Sequence, residues 1–342
     1  MNKPKNSQLS KQDVVELLET WSFLGNLTVK PTNQGTVNTT FFVETQAGNF
    51  ILKLYNDSIA TAQIQYEHSL LTYLQSYDLS FAVPTPIQTQ LGETLILVNK
   101  NNSLLRVALL PFILGEPSDR KNIAHTHAVG QTLGELHHAL AGFDSTGEMA
   151  QLPAWGDIYH IHPLVTDPLE VPQLLELPLT QQQYIVKTLT EITEAAPNLY
   201  RTLSVQTTHA DFLCPNVLLI DNRVVGVLDF EFATSDLRLM DYVAALDHFT
   251  RFSWKDAPNL EFVEAFSTGY AKYNSLTYSE AEALTLVWRL QRASCIIYWT
   301  GWLREGKATH QSVVDAVTNT SLLEEWLEEN TTKLLSYAAP TA

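Results

Sequence analysis

His209-Ala210-Asp211, Asn216 and Asp229-Phe230-Glu231 bring a carboxylate, an amide and further carboxylates into one short stretch of the chain. These side-chain types suit phosphoryl transfer. An acceptor hydroxyl must be held in line with a γ-phosphate, and metal ions must neutralise charge on the β and γ oxygens, so positioning outweighs covalent chemistry. In H-x-D-x-x-x-x-N the aspartate and the asparagine share one tight loop. That spacing aims Asp211 at the hydroxyl and Asn216 at magnesium. Asp229 then enters as a metal ligand from the next strand.

The residues between them supply the scaffold. Val217-Leu218-Leu219-Ile220, the turn-forming Asp221-Asn222 and Val224-Val225-Gly226-Val227-Leu228 read as a hairpin whose second strand ends at Asp229. Taken singly, Asp211 reads as a helix cap, Asn216 as a turn residue and Asp229 as a surface carboxylate. All three at this spacing, with a hairpin between, form a much rarer pattern. Glu231 either supports the metal shell or faces the substrate.

The stretch His209 to Asp241, with its Asp-Phe-Glu and its Asp236-Leu237-Arg238-Leu239-Met240-Asp241, resembles the aminoglycoside phosphotransferase-like family, which includes choline kinases and one type of homoserine kinase. The resemblance implies a two-lobed, protein-kinase-like α+β fold. Residues 1–110 would form an N-terminal ATP-binding lobe with an antiparallel sheet and helices, and 111–116 a hinge. Residues 117–342 would form a larger, mainly helical lobe with the catalytic loop and the acceptor site. ATP and Mg2+ are the implied cofactors.

A second half of the site is expected upstream. Phe50-Ile51-Leu52-Lys53-Leu54-Tyr55 is a short apolar strand carrying one lysine, and it pairs with Thr39-Thr40-Phe41-Phe42-Val43-Glu44 across Gln46-Ala47-Gly48-Asn49. Lys53 is the candidate ATP lysine. Glu67 falls in a helical stretch with Ile64, Leu70, Leu71 and Leu74, where kinase-like folds pair a glutamate with the strand lysine. Asn33-Gln34-Gly35-Thr36-Val37-Asn38 carries one glycine where protein kinases show several. The resemblance puts Gly35, Thr36 and Asn38 over the phosphates, although Gly35 alone reads as a turn residue. Leu110-Pro111-Phe112-Ile113-Leu114-Gly115 ends the sheet where the fold has its hinge, making Phe112 and Ile113 candidates for adenine; an ordinary strand end is the plainer reading.

Two features depart from the family or leave the substrate open. Many members carry Arg, Lys or His between the catalytic aspartate and the metal-binding asparagine, whereas this loop has Phe212-Leu213-Cys214-Pro215. A catalytically weak ATP-binding regulator is therefore an alternative. Tyr242, Asp247, Trp288, Arg289, Arg292, Tyr298, Trp299 and Trp302 supply aromatic walls and charges for acceptor choice, although packing accounts for aromatics in general. Arg289 or Arg292 could bind a carboxylate. The Arg- and Trp-rich helix is similar to that of homoserine-kinase-like members, so homoserine or a related amino alcohol is the preferred hydroxyl acceptor. Aminoglycosides, choline and sugars are the alternatives.

Other chemistry is disfavoured. Gly301-Trp302-Leu303-Arg304-Glu305-Gly306-Lys307-Ala308 nearly matches a P-loop, but Ala308 replaces the magnesium-binding hydroxyl and no strand precedes it, so a helix ending at Gly306 is expected. His125 and His127 are two apart and His137 and His138 adjacent, which does not set two zinc ligands on one helical face. His137 closes a Leu-x-x-Leu-His helix whose role in the family looks structural. No G-x-S-x-G marks a serine hydrolase.

The chain has 342 residues, 45% hydrophobic, enough for a substantial core and a two-domain arrangement. A net charge of −16 repels nucleic-acid phosphates, so no nucleic-acid partner is expected; the oligomeric state is left open. Cys214 and Cys295 are the only cysteines and give no disulfide framework. The polar first ten residues lack a signal-peptide core and no apolar run spans a bilayer, so the expectation is a cytoplasmic chain without a membrane segment. A first helix should start at Ser10, capped with Asp13, with Val14, Leu17, Leu18 and Trp21 on one face. A hairpin of Thr94–Val98 and Leu105–Phe112 should turn at Asn99-Lys100-Asn101-Asn102.

Overall fold

The computed structural model describes residues 9–21, 27–32, 38–100, 103–143, 150, 152–175, 177–253 and 255–338. The chain separates into two compact units. One is built from residues up to Leu114 together with Gly226–Glu231; the other takes in Gly115–Phe143, Leu152–Val225 and the chain from Phe232 onward.

In the first unit, α1 (Lys11–Leu18) starts where Ser10 and Asp13 cap each other reciprocally, with Ser10 N–H donating to Asp13 at 2.7 Å. A cap contributes about 1 kcal/mol, whereas each buried apolar side chain contributes about 1.5–3 kcal/mol. The cap therefore fixes where the helix begins, and Val14, Leu17 and Leu18 fix that it stays packed. The strands β1 (Thr28–Pro31), β2 (Thr39–Thr45) and β3 (Gly48–Leu54) are followed by α2 (Thr61–Gln75) and the hairpin β4 (Ile96–Lys100) and β5 (Ser103–Pro111). The sheet order is β1-β2-β3-β5-β4, antiparallel throughout.

Alternation along the strands divides the buried residues between two clusters. Val43, Leu52, Leu54, Val107 and Leu109 join α1 and Trp21 in one, while Ala108 and Leu110 join Tyr55, Ile59 and Ile64 in the other. The β2–β3 turn is tighter than expected, with Thr45 opposite Gly48, and Gly48 takes φ 136°, which its lack of a side chain allows. The β4–β5 hairpin also runs further: Asn99 and Lys100 are paired strand residues. Lys100 is drawn into the strand by ion pairs to Asp13 and Glu16. The expected turn residues Asn101 and Asn102 lie outside the described residues.

The second unit is mainly helical. After β6 (Glu116–Pro117) come α3 (Ile123–Leu140), α4 (Val171–Leu174), α5 (Leu179–Thr202), β7 (Val205–Thr208), β8 (Val217–Ile220), β9 (Arg223–Val227, whose Gly226 and Val227 are counted with the first unit) and β10 (Thr234–Leu237). The helices α6 (Arg238–Phe249), α7 (Leu260–Tyr270), α8 (Tyr278–Arg304) and α9 (His310–Ala338) complete it. β7 pairs antiparallel with β10, and β6, β8 and β9 form a small sheet in that order. Helices α3 and α7 meet backbone to backbone. A Cβ on Gly130 would strike the carbonyl of Phe266, one on Gly134 that of Tyr270, and one on Gly269 that of His127. The near P-loop is helical, as expected: α8 runs to Arg304, and the chain leaves it through Gly306 at φ 71°.

Candidate active site

Lys53 sits on β3 opposite Thr40, and its ammonium is buried among three carboxylates. Nζ lies 3.2 Å from Glu67 on α2, 3.2 Å from Glu231 and 3.7 Å from Asp229. It also stands over the Tyr55 ring, 4.7 Å from the centroid. Burial alone would depress the lysine, but Glu67, Tyr55, Glu231 and Asp229 hold it well above its usual range. Burial pushes Glu67, Asp229 and Glu231 all upward, and Lys53 offsets that only in part. One ammonium thus faces three carboxylates.

Glu231, open to two readings in the sequence, turns inward. Its carboxylate accepts the Asn38 side-chain amide, and its backbone carbonyl accepts Gln63 Nε2 at 3.0 Å. Asn38 in turn accepts the Asn56 N–H at 3.0 Å, so it ties the end of the candidate phosphate loop to this cluster. Gly35 and Thr36 lie outside the described residues. Phe112 packs edge-on against Phe42 and donates its N–H to Asn49, which commits that backbone donor to the sheet. Ile113 faces Gly226.

Asp229 differs from the sequence expectation in one respect. The strand stops at Val227, and Asp229 adopts φ 66° with its side chain 39% exposed. The left-handed backbone turns its carboxylate out of the strand's alternation, at a cost of order 1–3 kcal/mol for a non-glycine residue.

In the second unit the loop after β7 carries Asp211. Asn216 Nδ2 donates to the Asp211 carboxylate at 2.8 Å and to its carbonyl at 2.9 Å. This leaves the asparagine's oxygen, the hard donor that magnesium prefers, uncommitted to Asp211. Ala210 adopts φ 62°. Beneath the loop, Asp241 accepts the N–H groups of His209 and Ala210, and His137 Nε2 lies 3.1 Å from the same carboxylate. A carboxylate only accepts, so Nε2 donates to it, and Nδ1 is hydrogen-bonded to the Tyr270 hydroxyl at 2.9 Å. Burial alone would raise Asp241, but His137 and the His209 N–H hold it below the usual carboxylate range.

The apolar stretch after Asp211 has a packing reason. Phe212 is buried, its ring 5.8 Å from His209 and 6.1 Å from Phe249 on α6. Cys214 is buried too, and burial pushes its thiol upward, away from nucleophilic use.

Among the described residues, no group of three or more His, Cys, Asp and Glu could hold a metal by itself. No helix among the described residues is long and apolar enough to cross a membrane.

Of the residues singled out on α8, Trp288 is fully buried and donates to Asp247 at 3.0 Å, and Arg292 Nη2 lies 3.2 Å from the same carboxylate. Arg289 is paired with Glu324 on α9 through Nε at 2.7 Å. Tyr298, Trp299 and Trp302 pack on one another, and Trp155 joins them. Tyr242 is buried, bonded to Ser267 at 2.8 Å.

Comparison with known proteins agrees with this architecture. The model of the phosphotransferase enzyme family matches residues 28–278, and the chain belongs to that family. It is a small-molecule kinase. A homoserine kinase of Rhodopseudomonas palustris (strain BisB5) is 23% identical over 288 residues, 83% of this chain and 82% of the relative. A microcompartment-associated aminopropanol kinase has the same fold at TM-score 0.64 and 18% identity, covering 95% of this chain and all of that one. An amicoumacin kinase in complex with AMP-PNP and Ca2+ superposes at TM-score 0.66 and 14% identity, over 97% of this chain and 96% of the other.

Proposed function

We propose that the protein transfers the γ-phosphate of ATP to the hydroxyl of a small amino alcohol, with homoserine the first candidate. The observation that carries the nucleotide half is the buried Lys53–Glu67 pair with Asp229 3.7 Å from the ammonium. Such a pair holds a lysine ready for the α- and β-phosphates. The homoserine kinase relative, matched over 83% of the chain, supports the acceptor.

In this reading Asp211 orients the hydroxyl and takes its proton as the oxygen bonds to the γ-phosphorus and the bond to the β-phosphate oxygen breaks, releasing ADP. Asn216 keeps the Asp211 carboxylate in one rotamer through Nδ2 and offers its oxygen to magnesium, with Asp229 as the second protein ligand. Magnesium, when bound, neutralises charge on the transferred phosphoryl group. The amicoumacin kinase complex with AMP-PNP and Ca2+ supports a nucleotide with a divalent ion. A cytoplasmic location goes with a metabolite as acceptor.

The test is ADP release from Mg-ATP by purified protein, with homoserine and then other amino alcohols, choline, sugars and aminoglycosides, using Asp211→Asn as control. Release that depends on an amino alcohol and disappears in the control is expected. Stimulation by a sugar or aminoglycoside alone would overturn the acceptor assignment.

A further inference from the structure

The C-terminal end of α6 carries a charge cluster that the phosphotransfer residues do not use. Asp247 lies between two arginines, with Oδ1 3.4 Å from Arg251 Nε and Oδ2 3.2 Å from Arg292 Nη2. Trp288 Nε1 already donates to Oδ1. Arg251 is only 1% exposed, yet Nε, Nη1 and Nη2 make no hydrogen bond. A buried guanidinium with an ion pair to Asp247 but no hydrogen bond is under-satisfied, and burying such a charge carries a penalty of several kcal/mol. Unfilled donors of this kind call for a missing partner.

The missing partner is an anion by charge. Two guanidiniums face one buried carboxylate. The other acidic group acting on Arg251 is Asp256, which is exposed. His248 in the same cluster is held down to about 4, chiefly by burial and also by Arg120, so it is neutral near pH 7. Arg289 is unsuited to this role because Glu324 already neutralises it.

Position connects the cluster to the acceptor. Phe249, two residues before Arg251, packs on Phe212, which directly follows Asp211. Phe252, which directly follows Arg251, is 40% exposed, so the chain meets solvent next to this residue.

We infer that Arg251, seconded by Arg292, binds the carboxylate of the acceptor, so that the protein selects hydroxy acids over plain amino alcohols. Guanidinium and carboxylate match as a bidentate pair, which a lysine does not reproduce. The assignment rests on the reading of Asp211 as the group that orients the acceptor hydroxyl.

The experiment compares L-homoserine with L-homoserine amide, and L-serine with serinamide, as ligands of the full-length protein by equilibrium titration without ATP. The wild type should bind at least one acid about thirty-fold or more tighter than its amide, the scale expected when one partner of a buried charge pair is removed. Arg251→Met should bring that ratio near one, and Arg251→Lys should restore only part of it. The wild-type ratio needs no variant to fold. No acid preference, including no binding by any member, or a preference unchanged in Arg251→Met, overturns the inference. So does binding of inorganic phosphate at Arg251 with acid and amide alike, which would make this a free-anion site. A clear acid preference without acceptor-dependent ADP release would keep the Arg251 site and sink the kinase assignment of the acceptor instead.

Discussion

The carboxylate of Asp241 accepts the backbone N–H groups of both His209 and Ala210, at 2.9 and 3.0 Å. One oxygen serves each amide, and His137 shares the first. A side chain at the start of α6 thereby holds Ala210 at φ 62°, a conformation that costs about 1–2 kcal/mol. The direction of Asp211 follows from that hold.

Asp241→Ala should therefore lower stability by about 3 kcal/mol, because His137 and two amides lose a buried acceptor. Urea denaturation gives the number. Amide hydrogen exchange gives the mechanism: His209 and Ala210 should lose protection more than the strand amides of β8. Equal loss across both would mean only general destabilisation.

Asp211→Asn should retain nucleotide affinity and lose about a hundred- to ten-thousand-fold in turnover, the range of a general base. Steady-state kinetics with a titration of ATP analogue separates the two quantities. Near-normal turnover would remove Asp211 from the base role.

Asp229→Asn should weaken Mg2+-dependent nucleotide binding about tenfold or more, equivalent to about 1.4 kcal/mol. Nucleotide titrations at several Mg2+ concentrations would reveal it as a loss of the metal dependence. A shift in affinity without a change in that dependence would point to Lys53 contacts instead.

Lys53→Met should make stability fall as pH rises. Glu67, Asp229 and Glu231 have folded values already above their ordinary ones, so each stabilises fully below its unfolded pKa and loses that contribution as pH climbs through the folded value. Without the ammonium their folded values move higher still. The deficit relative to wild type should be at least about 1.4 kcal/mol larger at pH 8 than at pH 4, one pKa step. A deficit independent of pH would count against this coupling.

Asp236 offers a second, separate titration. Burial raises it to about 6, and the donors Tyr200, Leu237 and Trp155 offset that only in part. Its stabilising contribution is present below pH 3.8 and is lost as pH rises through about 6. Relative to wild type, Asp236→Asn should gain about 2 kcal/mol between pH 4 and 7, whatever its constant offset. Paired urea melts across that range would show the gain or its absence.

The parts of the site legible in the sequence are those whose partners lie close along the chain. Asp211 and Asn216 share one loop, and the Asp221-Asn222 turn appears as written, with Asp221 at φ 54°. The Lys53–Glu67 pair was legible too, because a strand lysine and a helix glutamate follow from local periodicity. Long-range relations were hidden. Nothing in the spacing of Asp241 tells that it caps the loop amides, or that the Phe212 ring belongs to the core. The strand ending at Val227 rather than Asp229 reflects backbone geometry at Asp229 that alternation of residue types does not encode. Asp247 lies only four residues before Arg251, but the second guanidinium, Arg292, comes from a helix far along the chain, and the burial that brings the three together is a long-range relation.

The glycine contacts between α3 and α7 set a boundary for anyone who would redesign this enzyme. Where two main chains touch, no side chain can be exchanged, so Gly130, Gly134 and Gly269 have essentially no permitted substitutes. His137 and Tyr270 ride on these same two helices and support Asp241 from there. A mutant library aimed at new acceptors has to leave these three glycines untouched. The same library extended to this seam would yield dead clones, and they would look like catalytic failures while being failures of assembly.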